Sequence, residues 1–399
     1  MTAGPPTSTP AEPSVRLSPL LRLPGAVAAT GVDAAVAAHY GDPLREQRAL
    51  LTGAAVIDRS HRDVVRITGP DRLSWLHSIT SQHLSELAPM RGTEALVLSP
   101  HGHVEHHLTV ADDGSATWLD VEGGTGPDLL RYLEMMRFLL RVEPIDVTAD
   151  IAVLSVVGPQ AAQVVTAALT SPTDPASAAP PAGLDLTPPA PSAPDAAGAP
   201  IIGPYPSGRA ADGTLVRRMP YGIDLLTPRA ELAATVERLR AAGAALAGLS
   251  AFEAARIADR RPRLGWETDH RTIPHEVHWL ASAVHLDKGC YRGQETVARV
   301  HNLGRPPRRL VLLHLDGTVA APRSPVTAGG REVGFVGSSE MHAELGPIAL
   351  AVVKRSVAAD AVLIVTDSDG APVAAAIDPD EPGSAAAPTR PAGRVLRPS

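Results

Sequence analysis

The sequence has few sulfur-bearing and aromatic residues. It contains one cysteine, Cys290, in 399 residues, and Phe, Trp and Tyr together make up 3% of the chain. A single cysteine cannot form an internal disulfide, so nothing requires an oxidising compartment and we expect a cytoplasmic protein. The scarcity of aromatic residues predicts a core built mainly of Ala, Val and Leu.

Long hydrophobic runs are absent as well. No stretch approaches the roughly 20 uncharged apolar residues that span a bilayer, so we expect no membrane partner. Residues 1–24 are rich in proline and have no continuous apolar run, which predicts that they are not a signal peptide. The net charge of -7 argues against a general nucleic-acid binder, and no direct nucleic-acid binding is expected.

The composition that is present, 44% hydrophobic and 20% charged, is typical of a multidomain globular chain. Proline-rich and alanine-rich stretches at both ends and in the middle cannot bury enough apolar surface to fold. We therefore divide the chain as follows: 1–36, a disordered or extended N-terminus; 37–150, a first α+β unit; 151–250, a second α+β unit with an insert at about 170–200; 251–306, a connecting segment; 307–378, a small β-barrel; and 379–399, a disordered tail.

Residue patterns predict the elements of the first unit. Residues 64–68 form a strand, Trp75 and Ile79 share one face of the next helix, and 95–121 holds three strands separated by two turns. A helix is predicted over 128–140 because leucine and methionine recur there at helical spacing.

The second unit and the barrel follow similar rules. "IAVLSVVGP" predicts a buried strand that leads into a helix, and "RRMPYGIDLLTP" predicts a strand that ends in a turn. Helices are predicted over 230–242 and 250–259, with Ser250 as the cap of the latter. After Pro307, "RRLVLLHLDG", "REVGFVGSS", "PIALAVVKR" and "AVLIVTD" predict short strands of an all-β module.

The only thiol lies in "DKGCYRGQE", between Gly289 and Gly293 and beside Lys288 and Arg292. Neighbouring cations lower the pKa of a thiol and favour the reactive thiolate. A lone free cysteine is also common as an inert, buried small hydrophobe, so spacing alone leaves both readings open. There is no second cysteine to resolve an oxidised one, so a reactive Cys290 would act on a small molecule or another protein.

"KGCYRGQE" resembles the signature of the YgfZ family of folate-binding, iron-sulfur-cluster-related proteins, within the glycine cleavage T-protein superfamily. The segments "LTGAAVIDRSHRDVVRITGPDRLSWLHSITSQHLSEL", "YGIDLLTP", "ARIADRRPRLGWETD" and "GFVGSS…LGPIALAVV" are similar to the wider superfamily. The resemblance covers roughly 40–365 without the insert. It implies an α+β, three-lobed T-protein-like fold with two α+β units and a C-terminal small β-barrel.

The resemblance also implies a ligand and a site. Tetrahydrofolate or a derivative would bind in a central channel, where a carboxylate accepts hydrogen bonds from the pterin and cations hold the glutamyl tail. Asp224 stands at the place of the superfamily's pterin-binding glutamate, and Arg256 matches an arginine of the following helix. Cys290 and Lys288 would carry the chemistry, and the remaining motif residues would shape their loop: Gly289, Tyr291, Gly293, Gln294 and Glu295.

Two departures argue against aminomethyl transfer. His106 and His107 in "HGHVEHH" occupy the positions of two aspartates in the T-protein, and Gln82-His83 replaces its earlier Asn-Asp pair. An imidazole can move a proton near neutral pH, but it does not supply the fixed negative charge that stabilises a cationic folate intermediate.

Histidines raise a metal hypothesis. His103, Glu105 and His107 share one face of a strand and are a plausible zinc set, although three ligands on adjacent same-face positions are geometrically awkward. The alternative is a polar strand face, and the predicted site contains no metal. The segment "DHRTIPHEVHWL" is predicted mainly to pack, with its histidines satisfied or exposed.

The leading hypothesis is a YgfZ-like protein that binds folate and supports iron-sulfur cluster assembly or repair in client enzymes, and through them tRNA modification. One alternative is a tetrahydrofolate-dependent aminomethyl or one-carbon transferase. Another is a degenerate folate module whose lone cysteine is purely structural.

Overall fold

The computed structural model describes residues 16–169, 186 and 205–380. The disorder predicted for 1–15, for most of the 170–200 insert and for the tail beyond 380 lies outside these residues. Residues 16–36 correct the prediction of a disordered or extended N-terminus, because they contain the 3-10 turns Pro19–Arg22 and Gly31–Asp33. Their order has a physical cause, since Leu20 and Asp33 are buried against the body of the protein.

Eight α-helices are described, and among the described residues no helix is long and apolar enough to cross a bilayer. They are α1 (Pro43–Thr52), α2 (Arg72–Ile79), α3 (Gly126–Met135), α4 (Ala161–Leu169), α5 (Leu232–Ala241), α6 (Leu249–Ala258), α7 (Trp279–Ala283) and α8 (Gln294–Leu303).

The strands of the α+β body are β1 (Val27–Ala28), β2 (Ala37–His39), β3 (Ala55–Asp58), β4 (Asp63–Thr68), β5 (Arg91–Leu98), β6 (Val104–Asp112), β7 (Ala116–Val121), β8 (Glu143–Asp146), β9 (Ile151–Val157), β10 (Tyr205–Arg209), β11 (Leu215–Met219), β12 (Gly222–Pro228) and β13 (Ala245–Ala247). The remaining strands are β14 (Arg308–Leu315), β15 (Pro325–Ala328), β16 (Arg331–His342), β17 (Gly346–Lys354), β18 (Leu363–Thr366) and β19 (Pro372–Ile377).

One sheet of eleven strands joins the two α+β units, in the order β13-β3-β9-β12-β11-β10-β5-β6-β7-β4-β8. β10 and β5 connect its halves through two residue pairs, Tyr205 with Gly92 and Pro206 with Arg91. β3, from the first unit by sequence, lies between β13 and β9 of the second. The units are therefore interleaved, and side chains from both can meet in the middle of the sheet.

Helices cover the sheet with their apolar faces. Leu232, Val236 and Leu239 recur at helical spacing on α5 and are all fully buried. α1 begins at a proline after Asp42, whose carboxylate accepts a hydrogen bond from the Arg45 amide as an N-cap.

Six strands at the C-terminal end close into a barrel, in the order β14-β17-β16-β15-β18-β19. Closure removes the exposed strand edges that an open sheet of this size would present. α6 packs on β16 and β17, so the barrel rests against the second unit. An α+β body followed by a small closed barrel is the fold class that the sequence predicted.

Most predicted elements are confirmed, and three details were wrong. α3 ends at Met135 rather than 140, because Phe138 has a left-handed φ of 49° that a helix cannot continue. "RRMPYGIDLLTP" forms parts of two paired strands, β11 and β12, with the turn between them. The N-cap of α6 is Gly248, two residues before the predicted Ser250.

Candidate functional site

Asp224 lies in the middle of the sheet on β12, where the neighbouring strands surround it with donors. Its carboxylate is fully buried and accepts hydrogen bonds from Ser155 Oγ at 2.6 Å, Tyr221 OH at 2.7 Å and Arg217 Nη2 at 2.8 Å. Arg59 Nη1 lies 3.6 Å from it. A buried carboxylate needs such partners, so the predicted pterin ligand is held in place by protein groups.

Arg217 bridges two carboxylates of the sheet. The same Nη2 atom donates to Asp224 and, at 2.6 Å, to Asp120 on β7. Burial acts to raise the pKa of Asp120, but the guanidinium groups of Arg217 and Arg62 outweigh it and lower that pKa to about 2. Arg217 is fully buried, yet its Nε and Nη1 have no hydrogen-bond partner within the described part of the chain.

The ion pairs continue towards the N-terminal segment. Arg62 donates to Glu122 at 2.8 Å, and Arg263 lies 2.9 Å from both Glu122 and Asp33. Burial acts to raise the pKa of Glu122, whereas Arg263 and Arg62 bring it well below its usual range. This contact explains the order of residues 16–36, because Asp33 is a partner of a buried arginine.

Arg256 closes the far end of the network, against the barrel. It lies 2.5 Å from Glu253 and 3.4 Å from Glu267, and it donates to Ser338 Oγ on β16. Glu267 accepts from the Arg263 amide through Oε2, while its buried Oε1 has no partner in the part of the chain that the structure describes. Arg256 therefore joins α6 to the barrel.

The ion pairs form one continuous group, which we call the central ion cluster. It consists of Arg59, Arg62, Arg217, Arg256, Arg263, Asp33, Asp120, Glu122, Asp224, Glu253 and Glu267. Nearly every member is buried, and truncating one partner of a buried pair typically costs about 3–5 kcal/mol because a charge is left uncompensated.

Aromatic rings stand beside the cluster. The Arg59 guanidinium carbon lies 4.3 Å from the ring centre of Phe252, and that of Arg261 lies 4.4 Å from the ring centre of Tyr221. The two rings meet edge to face at 5.3 Å. Cation-π contacts of this kind hold the arginines over flat apolar surfaces.

A second, partly buried polar group, which we call the Glu94 cluster, lies on the adjoining strands and α7. His107 Nε2 is 2.8 Å from Glu94 Oε2, Tyr205 OH donates to Glu94 Oε1 at 2.7 Å, and Ser282 Oγ donates to Oε2 at 3.3 Å. The imidazole of His107 stacks on the indole of Trp279, with 4.6 Å between ring centres and 11° between planes.

Lys288 of the KGCYRGQE motif anchors its loop to the first unit. Its Nζ donates to the carbonyl oxygens of Thr80 at 2.6 Å and Gln82 at 3.1 Å, and also to that of His77. Burial lowers the pKa of Lys288 to about 8, so the ammonium stays largely protonated at neutral pH. The ammonium of Lys288 thus holds the motif loop against the end of α2. Its hydrogen bonds go to these backbone carbonyls and not to the thiol of Cys290.

The backbone of the motif loop also packs closely against the turn that follows β5. Gly102 and Gly293 both have left-handed φ angles, 78° and 83°. A Cβ at Gly293 would lie 2.6 Å from Ser99 O and 2.8 Å from the Cα of Gly102. Only glycine fits such a close backbone approach, which explains this glycine of the motif.

Cys290 is exposed at the outer side of this anchored loop. Tyr291 is buried among apolar residues, and Gln294 Nε2 donates to the carbonyl oxygen of Lys288 at 3.1 Å. Glu295 is exposed and pairs with Arg299 along α8. A Cβ at Gly289 would meet no atom within 4 Å. The structure thus corrects the reading of Cys290 as a buried hydrophobe and leaves a solvent-facing thiol on a fixed loop.

Arg292 and the predicted zinc residues have other partners. Arg292 Nη1 lies 3.0 Å from Glu105, and His107 binds Glu94. No group of three or more His, Cys, Asp or Glu side chains that could hold a metal occurs within residues 16–169, 186 and 205–380. In the segment before the motif, Ile273 and Val277 are buried and His275 is half-buried, as expected of a packing segment.

Asp224 and Arg256 belong to one cluster, whereas among the described residues no hydrogen bond or ion pair joins either of them to Cys290. Sequence reasoning missed Arg217, which binds Asp224, and it missed Asp120 and Glu94, which bind Arg217 and His107. The available signal was charge inside apolar strands, as in "ATWLDVE" and "GTLVRRM". Buried strands rarely contain unpaired charges, so each such residue predicts a partner on a neighbouring strand.

Comparisons with known proteins agree with this architecture. The family model of the GCVT N-terminal domain matches residues 25–180, and that of the CAF17 C-terminal beta-barrel domain matches residues 308–382. The structure resembles the crystal structure of glycine cleavage system aminomethyltransferase T from Bartonella henselae, with a TM-score of 0.70, 16% identity and coverage of 90% of this chain and 94% of that one.

Curated relatives are similar over much of the chain. A putative chloroplastic transferase of Arabidopsis thaliana is 25% identical over 299 residues, 71% of this chain and 61% of that protein. An aminomethyltransferase of Symbiobacterium thermophilum is 27% identical over 312 residues, 75% of this chain and 77% of that protein. Together the matches support the glycine cleavage T-protein superfamily, with a CAF17-type barrel at the C-terminal end.

Proposed function

From a GCVT-like body joined to a CAF17-type barrel, we propose a folate-binding protein of YgfZ type that supports assembly or repair of iron-sulfur clusters in client enzymes. The exposed Cys290 acts on the client or its cluster, and effects on tRNA modification arise through clients. The observation that carries the proposal is the motif loop, which buries Lys288 and Tyr291 and presents the thiol to solvent.

The residues of the central ion cluster fit a reduced folate. A pterin ring presents both N-H donors and acceptors. Within the described residues the cluster has buried groups of both kinds without a partner, the Nε and Nη1 groups of Arg217 and the Oε1 atom of Glu267. Buried polar groups are nearly always paired, so these atoms suit a polar ligand. The folate would supply a binding platform or a carried one-carbon group, and these side chains would orient it.

The predicted contacts need adjustment for this role. Asp224 and Arg256 already have protein partners, so a direct bond from either to folate would replace an existing one. Arg217 is the better candidate for a ligand contact, because its free N-H groups need no exchange. Asp224→Ala would remove the carboxylate beside Arg59 and one of the two carboxylates that bind Arg217 and would disturb the fold, so loss of binding in that variant would not identify a pterin ligand.

The folate claim is tested by titrating the full chain with tetrahydrofolate under anaerobic conditions and following tryptophan fluorescence. We expect saturable quenching, because Trp118 lies on β7 two residues from Asp120 of the central ion cluster. The matched control uses Trp279, which stacks on His107 in the Glu94 cluster. Quenching should survive Trp279→Phe and largely disappear in Trp118→Phe. A wild-type protein whose fluorescence and calorimetric signals both stay flat would contradict the claim.

The proposed role in iron-sulfur cluster assembly or repair is tested in a strain that lacks this chain. We expect iron-sulfur enzymes to lose activity there while cluster-free enzymes of the same pathways keep theirs, and wild-type protein to restore them. Equal activities with and without the chain would contradict the proposed role.

The alternative, a tetrahydrofolate-dependent aminomethyl or one-carbon transferase, is favoured by the names of the curated relatives. His106 and His107 at the aspartate positions argue against it. Transfer of an aminomethyl carbon to tetrahydrofolate at a substantial rate by purified protein would displace the first proposal.

A further inference from the structure

Apolar side chains project into solvent at the end of α3 and just beyond it. Met135, Phe138 and Leu139 are 66%, 79% and 100% exposed, and Leu140 is 40% exposed. Together they expose on the order of 500 Å² of apolar surface, a size at which a patch commonly marks an interaction site. We call these four residues the α3 apolar surface. None of them belongs to the central ion cluster, the Glu94 cluster or the KGCYRGQE motif, so the proposed folate site does not use them.

The backbone of the α3 apolar surface is strained. Phe138 has a left-handed φ of 49°, a conformation that is unfavourable for any residue with a Cβ. Burial of the ring does not offset this strain, because the side chain faces solvent. Strained residues of this kind cluster at functional sites and ligand clamps. The conformation of Phe138 therefore points to a use outside the packing of the chain itself.

Contacts on both sides hold the strained segment against α2. Before it, Trp75 Nε1 donates to the carbonyl oxygen of Met136 at 2.9 Å. After it, the amide and the Nε of Arg141 both donate to Asp71 Oδ2, at 2.9 and 3.1 Å. The apolar side chains are thus presented on a fixed backbone. A surface that is ordered before binding loses little conformational entropy when a partner covers it.

The α3 apolar surface lies at one end of α2, and the KGCYRGQE loop lies at the other. Lys288 Nζ donates to the carbonyl oxygen of Thr80, just past the last residue of α2. α2 has eight residues, so its ends are about 12 Å apart. The guanidinium carbon of Arg292, two residues after Cys290, lies 5.8 Å from the ring centre of Tyr132 on α3. A protein partner that covers about 800 Å² extends over more than this distance and can contact both features.

The charges around the α3 apolar surface are balanced. Each nearby arginine has a carboxylate partner: Arg131 with Asp128 at 2.7 Å, Arg137 with Glu134 at 3.6 Å, and Arg141 with Asp71 at 3.0 Å. A peripheral membrane site combines apolar side chains with an excess of cations that attract anionic headgroups. The paired charges therefore favour a protein partner over a lipid surface.

The area of the α3 apolar surface argues against a second copy of this chain. A stable homodimer buries about 800 Å² or more on each partner, which exceeds the apolar area available here. Contacts of limited area are typical of partners that bind and are released. An enzyme that departs once its cluster has been assembled or repaired is such a partner.

We propose that the α3 apolar surface docks the client enzyme. Phe138 and Leu139 enter an apolar pocket of the client, while the loop of Cys290 faces the client's cluster site. The inference rests on the proposed role in iron-sulfur cluster assembly or repair and adds to it the surface that recognises the client. An aromatic anchor in a pocket supplies most of the binding energy of many interfaces, and the motif loop then presents the thiol.

The first test is photo-crosslinking of the full chain in living cells. A photo-reactive amino acid replaces Leu139 or, as matched control, Val362, which is 78% exposed in the barrel just before β18. From position 139 we expect a covalent adduct with an iron-sulfur enzyme that loses activity in the strain lacking this chain, and from position 362 no such adduct. From position 139, no adduct, or adducts only with a second copy, with phospholipid or with proteins that keep their activity, would overturn the inference.

The second test is complementation of the deletion strain with Leu139→Glu and, as matched control, Val362→Glu. Both side chains are exposed, so neither substitution creates a buried charge. At equal protein level we expect Val362→Glu to restore the iron-sulfur enzymes as wild type does and Leu139→Glu to restore little or none of their activity. Titration with tetrahydrofolate should give the same quenching in both variants, which shows that Leu139→Glu keeps its fold.

The outcomes separate the two proposals. Restoration by wild type and equally by Leu139→Glu overturns the docking surface and leaves the proposed function intact. Equal enzyme activities with and without the chain overturn the proposed function and this inference together.

Discussion

Gly293→Ala is expected to open the motif loop, whereas Gly289→Ala in the same motif is not. The backbone at Gly293 has a φ of 83°, and an added Cβ would lie 2.6 Å from Ser99 O. A Cβ at Gly289 meets nothing within 4 Å. The two variants add the same methyl group to the same loop, so they differ only in backbone conformation and available space.

The size of the effect follows from these two terms. A left-handed conformation costs an alanine about 1–2 kcal/mol. Displacing the Ser99–Gly102 backbone adds about 1–3 kcal/mol of overpacking. We therefore expect Gly293→Ala to lower the local stability by about 2–5 kcal/mol, and Gly289→Ala to change it by no more than about 0.5 kcal/mol.

Hydrogen exchange is the suitable assay, because a chain of several units has no single unfolding free energy. The Gly102 amide donates to Ser99 O at 2.9 Å, and the Val297 amide donates to Gly293 O at 3.3 Å. In Gly293→Ala both amides should exchange at least roughly tenfold faster, since about 1.4 kcal/mol corresponds to a factor of ten. Equal exchange rates in the two alanine variants would refute the assigned contact.

Two further predictions concern buried ionisable groups. Lys288→Met keeps the length of the side chain but leaves three carbonyl acceptors without their donor, and it should destabilise the loop by about 3 kcal/mol, measured by exchange of the amides at 80–84. Burial raises the pKa of Glu340 from 4.5 to about 7, so its stabilising contribution is full below pH 4.5 and is lost as the pH rises through 7. Glu340→Gln should therefore raise the melting temperature at pH 8 and leave it nearly unchanged at pH 4.5, and an equal shift at both values would contradict this assignment.

The sequence was sufficient to predict most of the helices and strands and their order along the chain. Alternating residues in "VVRIT" and helical spacing on α5 follow directly from the periods of strand and helix. The end of α3 was not predictable in the same way. Leucine and methionine spacing continues to Leu140, while the backbone leaves the helix at Phe138 for a left-handed conformation.

The site was predictable only in part, because its charges act through pairs that are distant in the sequence. Asp224 was found through a motif, but its partner Arg217 lies on the preceding strand, and Asp120, which Arg217 also binds, lies 97 residues before that arginine. Lys288 was assigned to the thiol because the two are close in sequence. Its ammonium instead donates to carbonyl groups at the end of α2 and just beyond it, which no local pattern indicates.

The central claim is that the exposed thiol of Cys290 supports iron-sulfur clusters in client enzymes. The most direct test is the activity of those enzymes in a strain lacking this chain, complemented with Cys290→Ser or, as matched control, Asp287→Asn at another exposed position of the loop. We predict restoration by the control and by wild type, and little or none by Cys290→Ser at equal protein level. Full restoration by Cys290→Ser would contradict the claim.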